Sequence, residues 1–133
     1  MRSQRVFTFA VLVFALIAMR GGVVLAHHSR AEYGNQDKKM EGTVVEYRWR
    51  NPHVIVFWDV KDDSGKVVHW TGEMAAITSM MRDGMTKDSL KTGDKISITV
   101  RPSKAGTPDS VIREILKSDG AIVYSASDAA LVR

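Results

Sequence analysis

The order of polar and apolar residues along the chain predicts a β-rich fold. Residues 40–50 alternate with a period of two, which is typical of a strand that turns one face toward the core. The predicted core face consists of Val45, Tyr47 and Trp49, and the opposite face carries Arg48 and Arg50. Asn51-Pro52 ends the alternation, because proline cannot donate a hydrogen bond to a neighbouring strand.

The rest of the chain predicts further strands and one helix. Strands are expected at residues 53–60, 66–71, 95–101 and 111–117, with a short closing strand at 121–124. A helical period occurs once, where Met74, Ile77 and Met81 share a face within residues 73–83. Gly84 is placed to end this helix.

Three strands, a short helix and two more strands are the order of a small five-stranded Greek-key barrel, the OB-fold. Closing the sheet removes exposed edges and gives a short chain a core. An open sheet with the helix packed across it fits less well, because the helix is too short to cover five strands. We therefore expect a mainly β domain over residues 40–124, an extended polar arm at 27–39 and a loose tail at 125–133.

The first 26 residues have the pattern of a secretory signal peptide. Basic residues precede an apolar run at 6–19, and Val24-Leu25-Ala26 supplies small or tolerated residues before a cut. The apolar run is shorter than the roughly 20 residues that span a bilayer. Cleavage after Ala26 is therefore expected, which predicts a periplasmic or secreted protein with no membrane span.

Charge and cysteine content narrow the function further. The chain has 19 basic and 15 acidic residues, but Arg2, Arg5 and Arg20 lie before the predicted cut, so the mature chain is close to neutral. A nucleic-acid partner is therefore not expected. The chain has no cysteine, which excludes disulfides, thiolate chemistry and a lipid anchor on cysteine.

Five motifs follow one another through most of the mature chain. They are Ala26-His-His-Ser29, Glu46-Tyr-Arg-Trp-Arg-Asn-Pro-His53, Val60-Lys-Asp-Asp-Ser-Gly65, Trp70-Thr-Gly-Glu73 and Asp88-Ser-Leu-Lys-Thr-Gly-Asp94. In this combination the chain resembles a family of small exported bacterial proteins, filed as a domain of unknown function, whose members look like OB-like barrels. Arg30 and Met85 depart from the family pattern, which has aromatic residues there. The resemblance implies fold and export, and it implies no established activity.

Histidine is the residue type that suggests chemistry. Cleavage after Ala26 would make His27 the new N-terminus, so that its α-amine and imidazole could chelate one metal ion. His53 follows the rigid Pro52 and is the best candidate for a further imidazole, since Cu(II) prefers tetragonal nitrogen ligands. Glu73 could add a carboxylate or orient an imidazole. The predicted metal residues are His27, His28, His53 and Glu73, with Cu(II) or a related ion as cofactor.

Plainer interpretations of these residues stay open. The two N-terminal histidines can be a polar start to the mature chain, His53 can cap a strand, and His69 can be an ordinary surface residue. A cut one residue earlier would place His28 third from a free amine, another copper-binding arrangement, but signal peptidases disfavour Leu25 at that position. The methionines at 74, 80, 81 and 85 are soft ligands suited to Cu(I), yet packing in the core is the favoured interpretation.

A second hypothesis needs no metal. Aromatic and basic side chains would line one barrel face, of the kind on which OB-folds bind bases or sugars. The predicted partner-binding residues are Arg48, Arg50, Trp58 and Trp70. On this hypothesis the protein is an envelope module that binds a protein or glycan. No catalytic triad, phosphate loop or metalloprotease helix is recognisable, so the sequence does not predict an enzyme.

Overall fold

The structure, a computed structural model, describes residues 32–126. The predicted signal peptide and the last seven residues of the predicted tail lie outside this range. The elements are β1 (Lys38–Arg48), β2 (Ile55–Lys61), β3 (Val67–Glu73), α1 (Ile77–Arg82), β4 (Lys95–Pro102), β5 (Asp109–Lys117) and β6 (Ile122–Ser125). Within residues 32–126 no helix has the length and apolar character needed to span a bilayer.

Five of the strands close into a barrel. The long strand β1 pairs antiparallel with β2 through its second half and with β4 through its first half. β2 pairs with β3, β4 pairs with β5, and a short parallel pairing of β3 with β5 closes the ring. The prediction of a mainly β, five-stranded OB-like barrel with one short helix is confirmed. β6 adds a sixth strand along β5, outside the ring.

A bulge in β1 reverses which residues face the core. Val44 is buried and Val45 is exposed, because the pairing with β2 skips Val45. The loop before β4 stabilises the bulge, since the Thr92 hydroxyl donates to the Val45 carbonyl at 2.9 Å and the Gly93 N–H donates to the Val44 carbonyl at 2.8 Å. The prediction that Val45 faces the core is therefore wrong. Beyond the bulge Tyr47 packs against the core as expected.

The helix is shorter than predicted. Glu73 still belongs to β3, where it pairs with Ile55 of β2 and Val111 of β5, and α1 begins only at Ile77. Met80 is consequently the buried helical methionine, and Met81 is 62% exposed. The predicted buried face is wrong in this respect. The packing role holds for the other methionines of the region, which are in the core: Met74, Met80 and Met85.

Trp58 occupies a slot between two glycines at the centre of the barrel. A Cβ atom on Gly42 would lie 2.6 Å from Trp58 Cδ1, and one on Gly72 would lie 2.8 Å from Trp58 Cζ3. The indole is fully buried and stacks on Trp70 with a centroid distance of 6.1 Å. The prediction of Trp58 as a partner-binding residue is wrong, because its side chain does not reach the surface.

Candidate binding site

The pairing of β2 with β3 brings His53 and Glu73 together. Ile55 lies opposite Glu73, and two backbone hydrogen bonds extend the pairing past the strand ends: Met74 N–H to the Val54 carbonyl (2.9 Å) and Val54 N–H to the Ala75 carbonyl (3.1 Å). His53 Nδ1 contacts Glu73 Oε1 on the outer face of these strands. Both side chains are about one-third exposed, at 37% and 34%. The contact is therefore open to a ligand that approaches from solvent.

The turn before His53 is tied to the helix. The Asn51 side-chain oxygen accepts a hydrogen bond from the Ile77 N–H at 3.3 Å, which satisfies one of the N–H groups that the first helical turn leaves without an internal partner. The intervening Asn51–Pro52 peptide bond is cis. The Asn-Pro-His motif thus links the β1–β2 connection to α1 and places His53 at the end of the barrel where Glu73 also lies.

A cavity of about 350 Å³ opens on the same outer face. Its walls come from β2 and β3, from the loop that joins β4 to β5, and from the arm before β1. Residues that line it include Glu32, Tyr33, Ile55, Glu73, Ser103 and Asp109. The face of strands 2 and 3 and the β4–β5 loop form the surface on which OB-folds usually bind their ligands.

Backbone hydrogen bonds hold the arm against the β4–β5 loop. The Lys104 N–H donates to the Glu32 carbonyl and the Gly34 N–H donates to the Pro102 carbonyl, both at 2.9 Å, on either side of a bridge between Tyr33 and Ser103. These bonds continue the pairing of β1 with β4 beyond the strand ends. The first described residues of the arm are therefore held against the cavity.

Carboxylates give the cavity a negative field. The pKa of Tyr33 is raised by burial of its phenol and further by the charges of Glu73, Asp109 and Glu32. The sequence interpretation missed Glu32, Tyr33 and Asp109 as site residues. Tyr33 is the only Phe, Tyr or Trp in the polar arm, and this was the signal that could have identified it. Nothing in the local sequence marks Asp109, because its position depends on the β3–β5 pairing.

The structure describes two of the four predicted metal residues. His53 and Glu73 lie in contact, whereas His27 and His28 fall outside the described residues. His69, for which the sequence predicts no ligand role, is 81% exposed and contacts Asp59 at 2.5 Å farther along the same face. Between residues 32 and 126 no three histidine or carboxylate side chains are grouped closely enough to hold a metal ion.

The predicted partner-binding residues do not form one surface. Arg48 lies on the outer face, where it donates to Glu46 at 2.8 and 2.9 Å and its guanidinium carbon lies 4.6 Å from the Phe57 ring centroid. Arg50 is exposed in the loop after β1. The indole of Trp70 stacks on the buried Trp58 and is covered by the Lys38 ammonium at 5.3 Å. Trp58 and Trp70 therefore lie on the inner side of the barrel wall and Arg48 on its outer side.

Comparison with known proteins gives a family and no activity. No curated protein and no solved structure matches the chain. A family model matches residues 15–112, which span the arm, β1 to β4 and the beginning of β5. The match covers well over half of the chain and agrees with the uncharacterised family suggested by the motifs. The chain therefore belongs to the family of unknown function DUF6152.

Proposed function

We propose that the protein binds a transition-metal ion, with Cu(II) as the best match, through His53 and the N-terminus created by cleavage after Ala26. The single observation that carries the proposal is the contact of His53 Nδ1 with Glu73 Oε1 beside the fastened arm. Histidine ligands typically donate their second ring N–H to a carboxylate, which fixes the tautomer and the ring orientation. His53 already has such a carboxylate partner.

On this proposal the two residues have different roles. Because Nδ1 faces Glu73, a metal ion would bind His53 through Nε2, on the other side of the ring. Glu73 then orients the imidazole and raises its basicity, and does not itself ligate the metal. Of the two roles that the sequence left open for Glu73, the proposal adopts the orienting one.

The position of the arm makes His27 a suitable partner for His53. Glu32 lines the same cavity as Glu73, and His27 precedes Glu32 by five residues. An extended chain covers roughly 3.3–3.6 Å per residue, so the arm could place His27 anywhere within about 17 Å of Glu32. The α-amine and imidazole of His27 would then complete a set of nitrogen ligands that residues 32–126 do not assemble by themselves.

Copper titration of proteins with defined N-termini tests the proposal. The protein that begins at His27 is expected to bind one Cu(II), and His53→Ala is expected to weaken binding at least about tenfold. Glu73→Gln should weaken it by about 10- to 100-fold through loss of the orienting carboxylate. A Gly-Ser-Gly extension before His27 should also abolish tight binding. Three residues are used because a shorter extension would place a histidine second or third from the free amine.

His69→Ala is the matched control. It removes a histidine that also contacts a carboxylate on the β2–β3 face, but at a distance from the arm. This variant is expected to keep the parental copper affinity. The proposal is wrong if the extended protein binds Cu(II) as tightly as the protein that begins at His27, or if His69→Ala weakens binding as much as His53→Ala.

A further inference from the structure

The cavity beside Glu73 has its own ligand chemistry. We propose that it binds a small organic cation, a protonated aliphatic amine, and that it does so without a metal ion at His53. The cavity measures about 350 Å³, within the range of about 300–1,000 Å³ that is usual for small-molecule sites. The inference goes beyond the proposed function and does not depend on it.

The charged residues of the cavity lining favour a ligand of positive charge. Three carboxylates from three separate elements line the cavity: Glu32 of the arm, Glu73 of β3 and Asp109 of β5. Among the lining residues in the described part of the chain there is no lysine, arginine or histidine, although the basic side chain of His53 pairs with Glu73 from outside the lining. The raised pKa of Tyr33 is in keeping with this field, since neighbouring negative charges disfavour the phenolate. A cation is therefore attracted and an anion is repelled.

The spacing of these carboxylates favours a molecule over a bare ion. A metal ion needs several ligands that converge on one point at about 2–2.6 Å. No three carboxylate or histidine side chains between residues 32 and 126 converge in this way. The carboxylates are instead distributed around the walls of the cavity, so that ammonium groups at different positions of one molecule could each meet a carboxylate.

The remaining lining suits an aliphatic amine. Ile55 offers apolar surface and the Tyr33 ring offers an aromatic wall, which methylene groups and cations both contact favourably. The hydroxyl groups of Thr71, Ser103 and Thr107 supply acceptors for ammonium N–H groups. This lining therefore suits a ligand that has cationic ends, an apolar middle and hydrogen-bond donors.

Titration of the metal-free, EDTA-treated protein with 1,4-diaminobutane tests the inference. Calorimetry in about 150 mM salt suppresses nonspecific attraction of charges. Saturable one-to-one binding is expected, and 1,4-butanediol, which has the same length and no charge, should not bind detectably. Amide chemical shifts should change at Tyr33, Thr71 and Ser103.

Two variants and one control locate the ligand. Glu32→Gln and Asp109→Asn are each expected to weaken diamine binding about three- to tenfold, as expected for loss of a charged partner at a partly exposed site. Glu41→Gln, which removes an exposed carboxylate of β1 away from the cavity, should leave affinity unchanged. His53→Ala should lose copper and keep diamine, so that the two proposals fail separately.

Three results would each overturn the inference. One is equal binding of the diol and the diamine. Another is retention of full diamine affinity by both Glu32→Gln and Asp109→Asn. The last is the absence of saturable diamine binding below about 10 mM, which corresponds to an affinity too weak to be specific.

Discussion

The slot that holds Trp58 gives a quantitative test of the barrel core. Gly72→Ala adds one methyl group on the inner face of β3. A Cβ atom there would lie 2.5 Å from Ile112 Cγ1, 2.7 Å from Ile112 Cδ1 and 2.8 Å from Trp58 Cζ3. These distances are well inside van der Waals contact, and Ile112 and Trp58 are both buried. Trp58 cannot move away easily, because Gly42 is close to the other end of its ring system.

The expected effect is a net loss of stability. Overpacking of a core of this kind lowers the free energy of unfolding by about 1–3 kcal/mol. Replacing glycine by alanine also restricts the unfolded chain, which stabilises the folded state by about 0.4–1 kcal/mol. Gly72 has no positive φ, so backbone strain does not contribute. We expect the free energy of unfolding to fall by about 1–2 kcal/mol and the Tm to fall by about 5–15 °C.

Urea unfolding followed by tryptophan fluorescence measures the change, and Gly34→Ala is the matched control. A Cβ atom on Gly34 would lie 3.5 Å from the Pro102 carbonyl oxygen, an ordinary contact, so this variant should stay within about 1 kcal/mol of the parent. Adding Ile112→Val to Gly72→Ala removes Ile112 Cδ1 and should recover part of the loss. The reasoning fails if Gly72→Ala is as stable as the parent, or if the two substitutions are simply additive.

Two further predictions concern the elements around the site. Asn51→Ala removes the acceptor for the Ile77 N–H and should lower the free energy of unfolding by about 0.5–1.5 kcal/mol in urea, whereas Asn51→Asp keeps an acceptor and should lose less. Neutral Tyr33 contributes stability that is present below its unfolded pKa of about 10 and is lost as pH rises through its raised folded pKa. The parent should therefore lose more stability than Tyr33→Phe between about pH 9 and 11, and equal losses would contradict this.

Local sequence patterns predicted where the strands lie more accurately than which of their residues face the core. Alternation identified β1 correctly, but Val45 was placed in the core because a period of two cannot anticipate a bulge. The contacts that stabilise the bulge come from Thr92 and Gly93, nearly fifty residues away. The sequence also predicts a helix that begins too early. Glu73 precedes residues with a helical period, yet its pairing with β2 and β5 keeps it in a strand.

The sequence predicted only the part of the candidate site whose residues are close together in the chain. The rigid Pro52 marks His53 in the sequence, and the contact of His53 with Glu73 follows from the hairpin that joins β2 to β3. The cavity depends on three elements that are far apart in the chain. Asp109 has no local signature, and Tyr33 is marked only by being the one aromatic residue of the polar arm. Each acquires its role when the arm and β5 meet beside β3.

β5 has a consequence for how the chain acquires its structure during synthesis. It pairs with β4 along its length, with β3 through Asp109–Val111 and with β6 through residues 114–116. A growing chain that has reached Pro108 already contains β1 to β4, but the edges of β3 and β4 still lack the strand that joins them. Long-range closure of this kind is slow and comes after local hairpins. The newly made protein therefore remains a set of open strand pairs until the last fifth of the chain is available, and the barrel closes only then.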